Sequence, residues 1–596
     1  MKNKNRSKKA GPVLIALGLI VIAAVVLLVQ RYTPSKERMD QTAYFGSMQE
    51  NEVAVVLQDQ ISEKRGLMNN GALYLDYDLV RQNINARFYW DSENSQMLYT
   101  TALETFEIPV DSAAYTVDGA AQTYSVPIVL QQNSGLYLSI GFLQQYTNLE
   151  YTLTGAVESA GASGTADKSA DVAENNTENA AGTEGAVPHV LITCQWGSRT
   201  SGIVKKSTAV RYQGGIKSPV LTETAKGDTV YVLEELEAWS KVLTVDGYIG
   251  YVQSKRLQDV QATEVTRDFI EPEYSSLTKD KKISLVWHQI DNSDANAYLE
   301  EDIADMTGID VISPTWFSVT DNSGTITSLA SEDYVTKAHA AGLEVWGLVS
   351  NFSKEVDTTS LLASTTARRK MTDYLVTEAL RLGLEGINLD FEAITEETGY
   401  SYVQFVRELS VACRKNQLVF SIDVPVPMDF NRHFDRKELG TVADYLIIMG
   451  YDEHYAGSEA AGSVASLSFE ENGITGTLED VPANKIISGV PFYTRIWYTV
   501  TNADGSASVT SEAISMNNAE KTLETYGVTP VWSDETEQDY ASWTAEDGTF
   551  CEIWLENEAS LTKKAQLVKK YELGGIAAWV LGFERNSIWS VLSENI

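Results

Sequence analysis

The sequence predicts a multidomain chain. Its C-terminal half is an α/β fold, a (β/α)8 TIM barrel with a small inserted β subdomain, preceded by a small β barrel, a small α+β domain and an N-terminal transmembrane helix. Three observations predict this. From about residue 278 to the end, short apolar runs alternate with amphipathic stretches, and eight such runs with helical crossovers describe a closed parallel barrel. Between 199 and 258, five short strand candidates are separated by Gly and Asp turns. Near the start, a basic cluster (Lys2, Lys4, Arg6, Lys8, Lys9) precedes an uncharged run from Gly11 to Val29. At roughly 150 residues per domain, 596 residues leave room for about four units.

Taken in order, residues 1–10 form a basic tail and 11–30 an apolar segment. Its 19-residue uncharged core is long enough to cross a hydrocarbon layer of about 30 Å as a helix. The positive flank places the N-terminus in the cytoplasm and the rest of the chain outside the cell. Leu27-Leu28-Val29-Gln30-Arg31 offers no small-x-small cleavage site, so a retained single-pass signal anchor in the cell membrane is expected rather than a removed leader. Residues 31–45 read as a polar stalk. Residues 46–155 are β-rich and contain a weak repeat: Gly71-Ala72-Leu73-Tyr74-Leu75 is echoed by Ser134-Gly135-Leu136-Tyr137-Leu138, and Arg87-Phe88 by Glu150-Tyr151. Each half reads as strand, short helix, strand. This pattern resembles the copper amine oxidase N-terminal-like module, without copper ligands. Residues 156–187 are a low-complexity acidic tether. The closing strand of the module is expected at 188–195, on His189-Val190-Leu191-Ile192-Thr193.

In 199–258 the strand candidates are Val204, Ala209–Arg211, Thr229–Val232, Trp239–Val242 and Tyr248–Val252. Lys226-Gly227-Asp228, Trp239-Ser240-Lys241-Val242 and Asp246-Gly247-Tyr248-Ile249-Gly250-Tyr251-Val252 resemble a bacterial SH3-like domain. That resemblance implies binding to the peptide stems of the cell wall; the bland reading is that these aromatics are core and turn residues. In 278–596 the strand candidates are Ile283–His288, Val311–Val319, Glu344–Ser350, Gly386–Phe391, Val419–Val424, Tyr445–Met449, Ile486–Val490 and Ile576–Leu581, with helices at 331–341, 361–382 and 399–416 among those between them. The aromatic, Gly-punctuated stretch 497–560 reads as the inserted β subdomain, after the seventh strand.

Composition excludes some functions. Acidic residues outnumber basic ones by 82 to 46, for a net charge of −36. Phosphate binding needs clustered cations, so no nucleic-acid partner is expected. Cys194, Cys413 and Cys551 are far apart and odd in number, and the five histidines form no HExxH. Neither a disulfide framework nor a metal site is expected, and nothing calls for a cofactor.

The chemistry concentrates in Glu385-Gly386-Ile387-Asn388-Leu389-Asp390-Phe391-Glu392. On a strand, residues two apart share a face, so Asn388, Asp390 and Glu392 point one way while Leu389 and Phe391 pack the other way. On the fourth barrel strand this ladder ends at the C-terminal mouth, where barrel enzymes do their chemistry. Two carboxylates about 6.6 Å apart along a strand repel each other, which raises one pKa. A carboxyl that keeps its proton near neutrality is what general acid catalysis needs.

These residues resemble the signature of glycoside hydrolase family 18, an Asp-Gly-x-Asp-x-Asp-x-Glu segment. Gly386, Asp390 and Glu392 match, while Glu385 and Asn388 stand where the family has Asp. The ending Asn-x-Asp-Phe-Glu is closer to the bacterial peptidoglycan and spore-cortex glycosylase branch. Met449-Gly450-Tyr451-Asp452, Val490-Pro491-Phe492-Tyr493-Thr494-Arg495-Ile496-Trp497 and Ala578-Trp579-Val580-Leu581-Gly582 resemble the family's sixth-, seventh- and eighth-strand motifs, in order. The resemblance implies a retaining, substrate-assisted N-acetylglucosaminidase-type reaction on N-acetylglucosamine glycan, with peptidoglycan expected. It makes Glu392 the acid, Asp390 the partner of the substrate acetamide N–H, and Tyr451 the donor to its carbonyl. Trp579 would be the floor of the sugar site, with Asn388, Asp452, Tyr493 and Arg495 as further substrate-cleft residues. Asn388 withholds the proton that a second Asp shares in that family. His288 is expected as a structural residue rather than a cleft residue. The rival readings are a chitin-oligosaccharide or N-glycan hydrolase, and a non-catalytic wall-binding protein.

Overall fold

The computed structural model describes residues 10–155, 187–502 and 505–596. The basic cluster 2–9 and the expected tether, apart from Val187, lie outside the described residues. The chain divides into two compact units.

The first unit opens with the helix Ala10–Tyr32, whose stretch Leu14–Tyr32 is exposed and, up to Val29, uncharged and apolar on every side. The expected stalk does not exist as such. Ser35 and Met39 donate backbone hydrogen bonds to Ile216 O and Val220 O, Val220 returns one to Glu37 O, and Gln41–Phe45 is a short helix capped by Asp40. Phe45, 1% exposed, stacks on His189 at 4.4 Å. The sequence hid this because a few scattered side chains, Met39, Tyr44 and Phe45, and not a periodic run, do the docking.

The strand Glu52–Leu57 is flanked on one side by Gln60–Asn69, Ala72–Asp76, Gly135–Ser139 and Val129–Gln132, and on the other by His189–Thr193 and Glu150–Thr154. His189–Thr193 pairs parallel with the first of these and antiparallel with Glu150–Thr154. Both repeat halves are strand, helix, strand, with helices at Tyr77–Asn83 and Ile140–Tyr146. Their third elements diverge: Glu150–Thr154 joins this sheet, whereas Phe88–Asp91, assigned with Gln96–Thr100 to the second unit, pairs with that strand in a separate five-stranded sheet.

Seven strands form the second sheet, in the order Val220–Thr224, Thr208–Arg211, Ile249–Gln253, Trp239–Thr244, Thr229–Glu235, Gly197–Val204 and Leu257–Val265. Inward valines (Val204, Val210, Val230, Val232, Val242, Val252) with Leu257 make its core. Gly250 is glycine because a Cβ there would meet Arg211 O and Val210 Cγ1 at 2.7 Å.

The second unit contains the barrel. Its strands are β1 (Ile283–His288), β2 (Val311–Pro314), β3 (Glu344–Ser350), β4 (Gly386–Asp390), β5 (Val419–Pro425), β6 (Tyr445–Met449), β7 (Ile486–Pro491) and β8 (Gly575–Trp579). All neighbours pair parallel, β8 with β1 and β2 with β3, so the cylinder closes. The run expected as one strand over 311–319 breaks at Thr315–Trp316 and resumes at Phe317–Val319, alongside β3. Trp316, 1% exposed, turns into the core and donates its indole N–H to Asn296 Oδ1 at 2.9 Å.

Alternate strand residues fill the interior, including Leu285, Trp287, Trp346, Leu348, Tyr445, Ile447 and Ile487. The opposite set, including Ile387, Leu389, Ile422 and Ile448, packs on the surrounding helices. Trp346 stacks on Tyr445 with ring centroids 5.7 Å apart. This plug explains the glycine at the head of the signature: a Cβ on Gly386 would lie 2.8 Å from Val419 O and 2.9 Å from the Trp346 ring.

After β7 the chain forms the inserted subdomain, an antiparallel sheet of Ala507–Ser515, Tyr493–Thr501, Phe550–Leu555, Gln538–Thr544 and Val531–Ser533. It begins at Tyr493, before the expected start at 497, and it is not purely β. The helix Met516–Tyr526 crosses it, capped by Ser515 and ended by Gly527 at φ +63°. Met516, Ala519 and Leu523 are the buried face of that helix.

Candidate active site

The signature ladder stands as its alternation predicts. Asn388 and Asp390 are buried on the inner face of β4, and Glu392, two residues beyond, is exposed at the mouth. Asn351, just past β3, holds the Glu392 backbone from both sides: the Glu392 N–H donates to Asn351 Oδ1 at 2.9 Å, and Asn351 Nδ2 donates to Glu392 O at 2.8 Å. Asn351 is itself 6% exposed and also donates to Thr358 Oγ1 at 2.9 Å. The position of the acid is therefore fixed by a residue on the neighbouring strand end.

Asn388 is held by every polar atom it owns. Its Oδ1 accepts from Trp287 Nε1 at 2.9 Å and Ser313 Oγ at 3.2 Å; its Nδ2 donates to Ser421 Oγ at 3.1 Å and Asp423 Oδ1 at 2.8 Å. The amide is thus a core bracket between β1, β2, β4 and β5, with no atom left over for a sugar. Asp423, on β5, is 1% exposed and is a third carboxyl in the site.

Electrostatics follow from this crowding of acids. Burial, then the Glu392 carboxylate, pushes Asp390 up to about 7. Burial, then Asp452, raises Glu392 even at its partly open position. Asp423 is held well above the usual carboxylate range by burial and by Asp390, against the pull of hydrogen bonds from Asn388 and Trp287. Asp390 Oδ1 is buried with no hydrogen-bond partner among the described residues. Such an atom costs about 1–3 kcal/mol when left unpaired.

Tyr451 follows β6. Its phenol lies in the field of Asp423 and Asp390, and burial holds its proton on. Its ring meets that of Tyr493 edge-on at 6.3 Å. Asp452, in the left-handed region at φ +59°, accepts a hydrogen bond from Tyr493 Oη at 2.5 Å. Trp579 ends β8 half-buried, tilted against Trp287 at 5.8 Å. Arg495 lies two residues beyond Tyr493 and donates to Ser511 Oγ at 3.1 Å, toward the inserted sheet. His288 bonds Tyr334 Oη at 2.8 Å and is pulled down to about 4 by burial; it is a neutral structural residue. Cys194, Cys413 and Cys551 are free thiols.

Sequence reasoning missed Asn351, Asp423 and the rim. Exposed apolar side chains follow four strands: Phe352 after β3, Met428 and Phe430 after β5, Tyr455 after β6 and Phe583 after β8. Phe430 is 79% exposed, unusual for a phenylalanine. All sit at the end of the barrel where Glu392 stands.

Residues 287–584, half of the chain, match the model of glycosyl hydrolases family 18, and residues 206–258 match that of the bacterial SH3 domain. The uncharacterized glycosylase YvbX of Bacillus subtilis (strain 168) is 28% identical over 286 residues, covering 46% of this chain and 81% of that protein. A cortical fragment-lytic enzyme of the same organism is 25% identical over 240 residues, covering 39% of this chain and 55% of that protein. Another from Bacillus anthracis is 26% identical over 252 residues, covering 41% and 57%. The chain thus spans little more than half the length of these last two.

Proposed function

Since the chain belongs to family 18 of the glycosyl hydrolases and is a glycosidase, we propose that it is a retaining, substrate-assisted enzyme that cleaves N-acetylglucosamine-containing peptidoglycan at the outer face of the membrane. The observation that carries this reading is the pair Asp390 and Glu392 on one strand face, both with raised pKa, beside Tyr451 at the barrel mouth.

In this mechanism Glu392 gives its proton to the glycosidic oxygen and the leaving sugar departs. The oxygen of the substrate's own 2-acetamido group bonds to C1, forming an oxazolinium ion, so the enzyme needs no second carboxylate as nucleophile. The unpaired Asp390 Oδ1 accepts the acetamide N–H and its charge balances the cation. Tyr451 donates to the acetamide oxygen. The Glu392 carboxylate then takes a proton from water as that water attacks C1; the oxazoline opens and configuration is retained. Trp579 offers an apolar face to the sugar C–H groups. Asp452 acts by orienting Tyr493. The exposed rings after β3, β5, β6 and β8 suit a glycan longer than two sugars.

The remaining parts support delivery to the wall. We assign 11–30 to a membrane anchor with a cytoplasmic tail at 1–10, and 46–155 with 188–195 to a small α+β module. Residues 199–258 are a wall-binding module and 278–596 the catalytic barrel. Two weak attachments on one chain raise the effective concentration of enzyme at the wall.

The test is digestion of purified sacculi, with mass spectrometry of the released reducing ends. Glu392→Gln is expected to lower the rate by at least about 100-fold, the usual worth of a general acid. Release from chitin oligomers but not from sacculi would replace the substrate; release by neither would reject the hydrolase mechanism.

A further inference from the structure

The mechanism above leaves one buried acid without a task. Asp423 lies inside the barrel on β5, 1% exposed, and Asp390 on β4 is 6% exposed; the strands run parallel with Asn388 opposite Ser421 and Leu389 opposite Ile422, so 390 and 423 are the next positions along neighbouring strands. No ion pair involves either carboxyl among the described residues. The nearby groups that titrate are Glu392, Tyr451, Tyr402 and, farther toward the inserted sheet, Asp452 and Tyr493. All are acids or phenols. The cation facing this side is Arg436, and its guanidinium hydrogen bonds to Pro425 O and Asn431. Two carboxylates buried side by side without a counter-charge cannot both ionise.

The way Asn388 is bracketed adds geometry to that argument. Its Oδ1 is filled by Trp287 and Ser313, which fixes the Nδ2 edge toward β5. Asp423 Oδ1 therefore accepts from an amide N–H at 2.8 Å, and only its second oxygen is left to carry a proton. The amide at 388 and the acid at 423 form one hydrogen-bonded unit beneath Asp390.

We propose that Asp423 is the positioning residue that holds a proton for Asp390: the two buried carboxyls carry one proton and one negative charge between them in the working enzyme. The proton resides on Asp423 when Asp390 is charged. A neutral acid next to Asp390 stabilises its first ionisation, as in any pair of acids that shares one proton, and delays the second. Position 388, which carries an acid in the family signature, is an amide here, and the acid stands across the strand gap on β5. The proposal rests on the reading that Asp390 works in its charged form.

Two measurements decide it. The first needs no substrate. Infrared difference spectra at about pH 9, where ordinary carboxyls are ionised, should show the carbonyl stretch of one protonated acid in the wild type. That band should be missing from Asp423→Asn. If it persists in that variant, the proton is elsewhere and the proposal is overturned, whatever the enzyme cleaves. The second is the pH dependence of kcat/KM on sacculi. In Asp423→Asn the acid limb should move up by about one pH unit, a tenfold loss on that limb. The exchange variant Asn388→Asp with Asp423→Asn should bring it back. An unmoved acid limb, or an exchange variant no better than the single one, overturns the proposal. Should Asp423→Asn not fold, as judged by its melting curve, the exchange variant is compared with Asn388→Asp, which places three acids together and should be the worse of the two. Absence of any turnover by the wild type would sink the hydrolase reading and leave the infrared result standing.

Discussion

Asn351 takes no part in the proposed chemistry, yet it holds the backbone of the residue proposed as the acid. Its two hydrogen bonds to the Glu392 backbone set where the acid stands. A shift of about 1 Å at a reacting group can cost 100-fold in rate. Asn351→Ala is therefore expected to lower kcat on sacculi by about tenfold or more with KM little changed, since no sugar contact is removed; an equal rise in KM would point to a binding role instead. The ladder Asn388, Asp390, Glu392 was legible because strand alternation needs only local sequence. Asn351 was not, because it follows an apolar run like any loop residue, and its partner is 41 positions away. Asp423 did leave a signal: an acid inside Phe420-Ser421-Ile422-Asp423-Val424 is costly to bury without a purpose. Reading that run only as an apolar strand passed over it. The cleft role expected for Asn388 gives way to a bracket role for the same reason, since its four hydrogen bonds come from strands that the signature does not mention.

Among the elements, β4 has the tightest constraint. Gly386→Ala would push a methyl against Val419 O and the Trp346 ring, neither of which can give way inside a closed barrel. Overpacking of this kind costs about 1–3 kcal/mol. The expected outcome is a thermal midpoint several degrees lower with the same active-site residues in place, and an unchanged melting curve would show that the plug is looser than described. The eight strands were readable because parallel strands buried on both faces appear as near-continuous apolar runs. Their ends drifted by a residue or two where a loop carries the apolar pattern on, as at Phe391 and Leu581. The helix Met516–Tyr526 was overlooked for a different reason. Its apolar spacing at 516, 519 and 523 is helical, but it lies within a stretch dominated by aromatic and Gly-rich strand signals. The divergence of Phe88–Asp91 from its repeat partner could not be read from pattern at all, since both segments are strands and only their pairing differs.

For the molecule as a whole, the exposed apolar helix Leu14–Tyr32 predicts where the protein is found. Deleting residues 11–30 should move the chain from the membrane fraction to the soluble one with turnover of soluble glycan fragments retained; a deleted form that still sediments with membranes would reject the anchor. The segment after that helix has a mechanical meaning. Lys217 donates to Thr33 O at 2.7 Å and also to Gln30 O, and the backbone of Ser35 is already bonded to Ile216. No slack remains between the last turn of the helix and the valine-cored sheet. Were that helix to sit in a bilayer, the sheet would be held at the lipid surface like a collar on a post, with the helix unable to tilt far without dragging it along.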